Sequence, residues 1–228
     1  MTEVTISRWL AVLTAAVVLL SLLIACARGI GRTAGLPDDL ADDTAAELPA
    51  EKPLPPDTLL FESLGGGRCA VTGIGSWQNP ELRIPEQSPA GDTVTRISSR
   101  AFFGCAFLES AWIPETVSEI GTLAFGECEA LRLIGVDAEN PYFTAVDGIL
   151  YTKDFHTLMH CPAKRPGTSV WIPATVTVIS EMAFYSCESL AVVRYESTAA
   201  DWERIAIAPR NYSLTAAAVF YEQTKVDS

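Results

Sequence analysis

Cations are scarce in this chain. Lys and Arg number 16 against 28 Asp and Glu, a formal net charge of −12. That balance disfavours nucleic acid and anionic lipid headgroups, both of which need a basic surface, so no nucleic-acid partner is expected. Histidine is scarcer still, with only His156 and His160. A zinc site wants two ligands on one helical face or close cysteine pairs. His160 and Cys161 are adjacent, so on a strand they point to opposite sides, which also removes a Cys–His catalytic pair. No metal and no cofactor are expected. The chain has no nucleophile elbow and no paired metal ligands, so no catalytic residue is assigned and an enzyme is not expected. Gly65-Gly66-Gly67 runs into the strand-like Arg68-Cys69-Ala70-Val71 rather than a helix opening on Lys-Ser/Thr, which makes it a turn and not a phosphate loop.

What the chain does have is repetition. Val94, Ile97, Ala101, Phe102, Cys105 and Leu108 return as Val117, Ile120, Ala124, Phe125, Cys128 and Leu131, each shifted by 23 residues. They return again, shifted by 59, as Val176, Ile179, Ala183, Phe184, Cys187 and Leu190; that spacing is one period plus a 36-residue unit. A fixed period of this size predicts a solenoid. In each coil Val-x-x-Ile reads as a short strand, Ala-Phe as a helical turn, and the stretch after Cys-x-x-Leu as a second strand. That second strand stops at Ile113-Pro114 and Ile172-Pro173, because proline cannot donate to the ladder. The six recurring residues should face inward, since one coil can bury them only against the next. With 49% apolar residues the chain can fill one substantial core.

The first folded stretch, Leu59 to Ile74, alternates about the three glycines and predicts a β-hairpin. From Pro85 to Pro114 is 29 residues, six more than the period, so the excess falls in the loop Glu86–Thr93. Between the second and third copies, Asn140-Pro141 and Asp147-Gly148 mark turns. Ile149–Tyr151 should pair there with Leu158–Cys161. Five cysteines, an odd number, lie in residues 57–222: Cys69, Cys105, Cys128, Cys161 and Cys187. Cys105, Cys128 and Cys187 share one repeat position and read as buried thiols; the alternative is a Cys105–Cys128 bridge between neighbouring coils, which a spacing of about 4.8 Å permits but parallel Cβ vectors disfavour. Trp202 reads as a lid over the last coil.

Ala70-Val71-Thr72-Gly73-Ile74, the passage from Ile84-Pro85 to Val94-Thr95-x-Ile97, and the Ala-Phe-x-x-Cys cores together resemble the BspA-type leucine-rich repeat family of bacterial surface proteins over about residues 59–222. The resemblance implies a right-handed, curved leucine-rich-repeat solenoid with a parallel sheet, α/β but mostly β. It implies a terminal unit like the one built around Trp202. Some members of the family are surface adhesins or bind host matrix proteins.

Ahead of this lies a long apolar run, Trp9 to Ala27, with Arg8 before it and Arg28 and Arg32 after it. As an export signal it would occupy residues 1–25. Leu23-Ile24-Ala25-Cys26 then resembles the bacterial lipoprotein lipobox, which implies cleavage after Ala25 and lipidation of Cys26. As an uncleaved anchor helix ending at residue 27, its 19 residues would span roughly 28 Å, enough to cross a bilayer. A buried globular helix is the third reading. Residues 26–56 carry Asp38-Asp39, Asp42-Asp43, Glu47, Glu51 and five prolines, the composition of a disordered acidic spacer.

The expected organisation is therefore signal or anchor, spacer, and a repeat domain over 57–222. The domain divides into an N-terminal hairpin unit (57–85), repeats (86–136), an extended unit (137–169), a further repeat (170–195) and a C-terminal cap (195–222). The expected function is a membrane-anchored, extracytoplasmic binding protein for a protein or glycan. The alternative is a structural or assembly accessory lipoprotein. Residues that the repeat does not fix are the expected contacts: Glu109, Trp112, Arg132, Trp171, Arg194 and Tyr195, of types enriched at interaction hot spots. Against that stands the expectation that Trp112 and Trp171 pack on each other as repeat equivalents. Intact mass of the membrane-extracted chain distinguishes the two anchors. A lipoprotein starts at Cys26 with added acyl mass that Cys26→Ala abolishes, whereas an anchor helix leaves a full-length, unacylated chain.

Overall fold

A computed structural model describes residues 58–222. The export signal or anchor, Cys26 and the spacer lie outside the described residues. Among the described residues no helix is long and apolar enough to cross a membrane.

The chain opens with the hairpin β1 (Leu60–Gly65) and β2 (Arg68–Gly73), antiparallel about Gly65, Gly66 and Gly67, all three with positive φ. Two turns of solenoid follow as β3 (Glu81–Arg83), β4 (Thr93–Ile97), β5 (Ser110–Ile113), β6 (Glu119–Ile120) and β7 (Leu133–Val136). The strands form two sheets, β1-β2-β4-β6 and β3-β5-β7, parallel throughout except for the opening hairpin. Then comes an antiparallel meander, β8 (Phe143–Val146), β9 (Ile149–Thr152) and β10 (Thr157–His160). The solenoid resumes with β11 (Ser169–Ile172), β12 (Val178–Ile179) and β13 (Val192–Tyr195). It ends in α1 (Ala199–Trp202), β14 (Ala206–Ile207), α2 (Tyr212–Ala216) and β15 (Ala218–Tyr221). These strands make the sheets β14-β12-β10-β9-β8 and β11-β13-β15. The resemblance implied a parallel sheet; the structure has parallel ladders interrupted by antiparallel pairing at the opening hairpin and at the meander.

The repeat residues face inward. Of the eighteen, all are buried except Ile120 and Leu190, which are half-buried. The ladder sets like on like: Arg96 pairs with Glu119 and Ile97 with Ile120, each 23 residues on. Phe102 therefore stacks on Phe125 with ring centroids 5.3 Å apart. The segment between the two strands is also hydrogen-bonded from coil to coil. The N–H groups of Arg100, Phe102 and Gly104 donate to the carbonyls of Thr122, Ala124 and Gly126 at 3.0, 2.9 and 2.9 Å.

The expected helical turn is built as a run of i→i+3 turns. Ala101 N–H donates to Ser98 O and Cys105 N–H to Phe102 O, and the Ala183 and Cys187 amides repeat the pattern. A regular helix cannot continue because each coil has two residues in the left-handed region. They are Arg100, Leu123 and Met182 before the Ala, and Gly104, Glu127 and Ser186 after the Phe.

Buried asparagines close both repeat blocks. Asn140 donates to Pro114 O (2.8 Å) and Val117 O (3.0 Å) and accepts from the amides of Tyr142 and Phe143. Asn211 donates to Ser180 O and Ala208 O and accepts from the Phe184 amide. Each side chain satisfies backbone groups that the next coil no longer serves. The five described cysteines are free and buried. Cys128 Sγ donates to Phe102 O at 3.1 Å, and burial pushes its thiol up to about 12. These thiols pack as small apolar groups.

Phe125 is buried and stacks on Phe102. Phe125→Ala should destabilise the protein by about 3–5 kcal/mol, the range for a large cavity, measured by urea unfolding. A loss under about 1 kcal/mol would be that of an ordinary surface change and would contradict the register.

Candidate functional site

Strand alternation sends every second side chain of β5, β7, β11 and β13 outward. Trp112 and Trp171 stand on these outward faces, 39% and 38% exposed. They do not stack on each other. Trp112 belongs to β3-β5-β7, where its registered neighbours are Arg83 and Gly135. The Arg83 guanidinium lies 5.9 Å from the ring centroid. On the other side the indole lies flat over Gly135, where any Cβ would collide with the ring. Trp171 belongs to β11-β13-β15, in one outward row with Arg194 and Phe220. The meander separates the two tryptophans in sequence and in sheet, which is why repeat equivalence does not bring them together.

Glu109 and Arg132 lie just before β5 and β7. They are repeat equivalents and pair at 3.7 Å with both side chains more than half exposed. Arg194 pairs with Glu222 at 3.3 Å, equally exposed. Exposed pairs of this kind add little stability and leave both partners open to exchange. Tyr195 is not a contact residue. It is 2% exposed and packs edge-on against Trp202 at 5.3 Å. Arg194 and Tyr195 are consecutive on one strand, so they cannot share a face. Tyr195 holds the inward position of Ile172, a relation the period of two could have revealed. Trp202 closes over that end of the core as expected, half-buried.

Sequence reasoning missed Leu133, Arg83, Arg165 and Phe220. Leu133 and Phe220 are 46% and 57% exposed. Leu133, Arg132, Asp147, Gly148, Arg165 and Pro166 line an open groove of about 730 Å³. Arg165 is held in place there: Nε donates to Asp147 O at 3.2 Å and Nη2 to Ser169 O at 2.8 Å. The outward alternation of Leu133 and Phe220 was visible in sequence once the strands were placed; the groove, made by the meander, was not.

A second, more enclosed cavity of about 90 Å³ lies where the meander meets the second coil. Ile120, Phe125, Leu150, Met159 and His160 line it, with Glu181 the charged side chain among its lining. The imidazole of His160 is buried, 6.3 Å from the Phe125 ring, and desolvation lowers its pKa to about 4. His160 is therefore neutral at pH 7. Among the described residues no group of three or more His, Cys, Asp or Glu is placed to hold a metal.

Residues 86–143 and 163–213 match the BspA type leucine rich repeat region in six copies. No curated protein matches the chain. Similar solved structures include the pneumococcal vaccine antigen PcpA, 19% identical over 56% of this chain and 36% of that chain, with a TM-score of 0.47. A leucine rich cell surface protein from Faecalibacterium prausnitzii is 30% identical over 51% of this chain and 35% of that one, TM-score 0.41. A leucine-rich repeat protein from T. pallidum is 21% identical, covering 63% of this chain and 71% of that chain, TM-score 0.43. This chain thus spans little more than a third of the length of the first two.

The depressed His160 pKa has a pH signature. Well above pH 6.5 the ring is neutral both folded and unfolded and contributes no pH dependence. As pH falls toward 4 the unfolded chain takes up the proton while the folded ring, with its pKa near 4, does not. Stability should fall over that window by up to about 3 kcal/mol. Urea unfolding at pH 7, 5.5 and 4 should show this component in the wild type and not in His160→Phe.

Proposed function

We propose, from the premise that residues 86–143 and 163–213 are BspA type leucine-rich repeats, that this chain is a membrane-tethered, extracytoplasmic binding protein. Its ligand is a protein or glycan, and it is recognised on the outward faces of β3-β5-β7 and β11-β13-β15. One observation carries the reading. The side chains fixed by the repeat point inward, while the outward rows hold residues that differ from coil to coil: Arg83, Trp112 and Gly135 in one, Trp171, Arg194 and Phe220 in the other. The backbone ladder holds these rows rigid, so little ordering entropy is lost when they are covered. Trp112 is further fixed between Arg83 and Gly135, and Trp and Arg are residue types that dominate binding energy when desolvated. Tethering through Cys26 or an anchor helix would present this surface outside the cell.

The test is binding of the full chain to a glycan array and to a panel of extracellular-matrix proteins. Wild type is compared with Trp112→Ala and Trp171→Ala, folding being checked by circular dichroism. A true ligand should weaken about tenfold or more for at least one variant, a loss of roughly 1.4 kcal/mol. Capture unchanged in both would remove these faces as the site.

A further inference from the structure

Among the described residues β15 has a neighbour on one edge only, β13. The parallel register fixes which groups face that neighbour. Ala218 N–H donates to Ala191 O and Glu222 N–H to Tyr195 O. Even-numbered residues therefore spend their N–H and C=O on β13, and those of Val219 and Tyr221 point to the open edge. The strand itself, Ala218-Val219-Phe220-Tyr221, is short, but it carries neither the charge nor the proline that commonly blunt an exposed edge. Phe220 is 57% and Tyr221 41% exposed.

We infer that two copies of this chain pair through β15, antiparallel about a two-fold axis at Phe220, joining two three-stranded sheets into one of six strands. The register follows from the geometry above. A two-fold perpendicular to the sheet keeps each face on its own side, so a residue must oppose one of the same parity. Centring on Phe220 sets Val219 opposite Tyr221 of the other copy, twice. The outward-pointing groups then form four main-chain hydrogen bonds with none left over within the strand. Phe220 meets Phe220 of the second copy at a non-hydrogen-bonded position, where side chains approach most closely. The register also separates like charges, because Glu222 falls beside Ala218 of the second copy and not beside Glu222. Such a contact is isologous and closes at two. It does not depend on the ligand reading, but it would run the outward rows of both copies into a single face.

The test uses the full-length chain in detergent, in a Cys26→Ala background. Sedimentation should show a monomer–dimer equilibrium at micromolar concentration. Val219→Pro removes an edge-facing N–H, which an edge strand tolerates, and should raise the dissociation constant at least tenfold with an unchanged circular dichroism spectrum. Independently, Phe220→Cys should form a disulfide-linked dimer under copper phenanthroline and oxygen much faster than Tyr212→Cys, whose native side chain is 75% exposed. Two thiols lose two protons and two electrons to the oxidant in that step. A chain that stays monomeric, a dimer indifferent to Val219→Pro with the fold intact, or equal cross-linking at 220 and 212 would overturn the inference. If Val219→Pro unfolds the protein, the cross-linking comparison decides alone.

Discussion

Within each block the coil-to-coil ladder places a paired residue about 4.8 Å from its counterpart in the next coil, and most of this structure follows from that spacing. At that distance a side chain must tolerate its own kind as a neighbour. Phe on Phe satisfies it by stacking, as Phe102 and Phe125 do. Ala on Ala satisfies it by letting the turns approach until their amides bond. Cys on Cys satisfies it through thiols that donate to a carbonyl of the preceding coil or unit. Buried charge on like charge could not, and no Asp, Glu, Lys or Arg is among the buried residues described.

The same ladder creates a problem wherever the stack stops, since the last coil of a block has amides and carbonyls with no successor. Asn140 and Asn211 answer it with one side chain each. Their Nδ2 and Oδ1 atoms occupy the places of absent backbone groups. At the carboxyl end Trp202 and Leu214 then cover the apolar side. At β15 the edge itself is left uncapped among the described residues.

How much of this was legible in sequence depends on whether a feature recurs. The inward set, the Ile-Pro strand ends, the opening hairpin and the pairing of β9 with β10 could all be read from spacing and turn residues. The left-handed residues could not, because Arg100, Leu123 and Met182 share no chemistry; the turn geometry imposes the conformation on whatever stands there. The asparagines escaped because each occurs at a block end and has no period. Of the candidate contacts, Trp112, Trp171, Glu109, Arg132 and Arg194 are exposed, and Tyr195 is not. That error came from treating a non-repeating residue as an outward one. Alternation along β13, not novelty of residue type, decides which way a side chain points. The groove between Leu133 and Arg165 depends on how the meander sits beside β7, through Ile134 N–H to Gly148 O and Lys164 N–H to Leu131 O, contacts that no local pattern announces.

The meander has one more consequence. It divides the buried apolar residues into two clusters, one from Leu59 to Leu150 and one from Ile149 to Leu214. Strand β9 contributes to both, Leu150 to the first and Ile149 and Tyr151 to the second. In a uniform repeat array, stability spreads by nearest-neighbour coupling and each coil props up the next. Here that coupling must pass through the meander, where β9 and also β10 serve both cores, Met159 packing against the first and Leu158 lying in the second. The solenoid is thus two cooperative blocks sharing one wall, and opening of one need not carry the other with it.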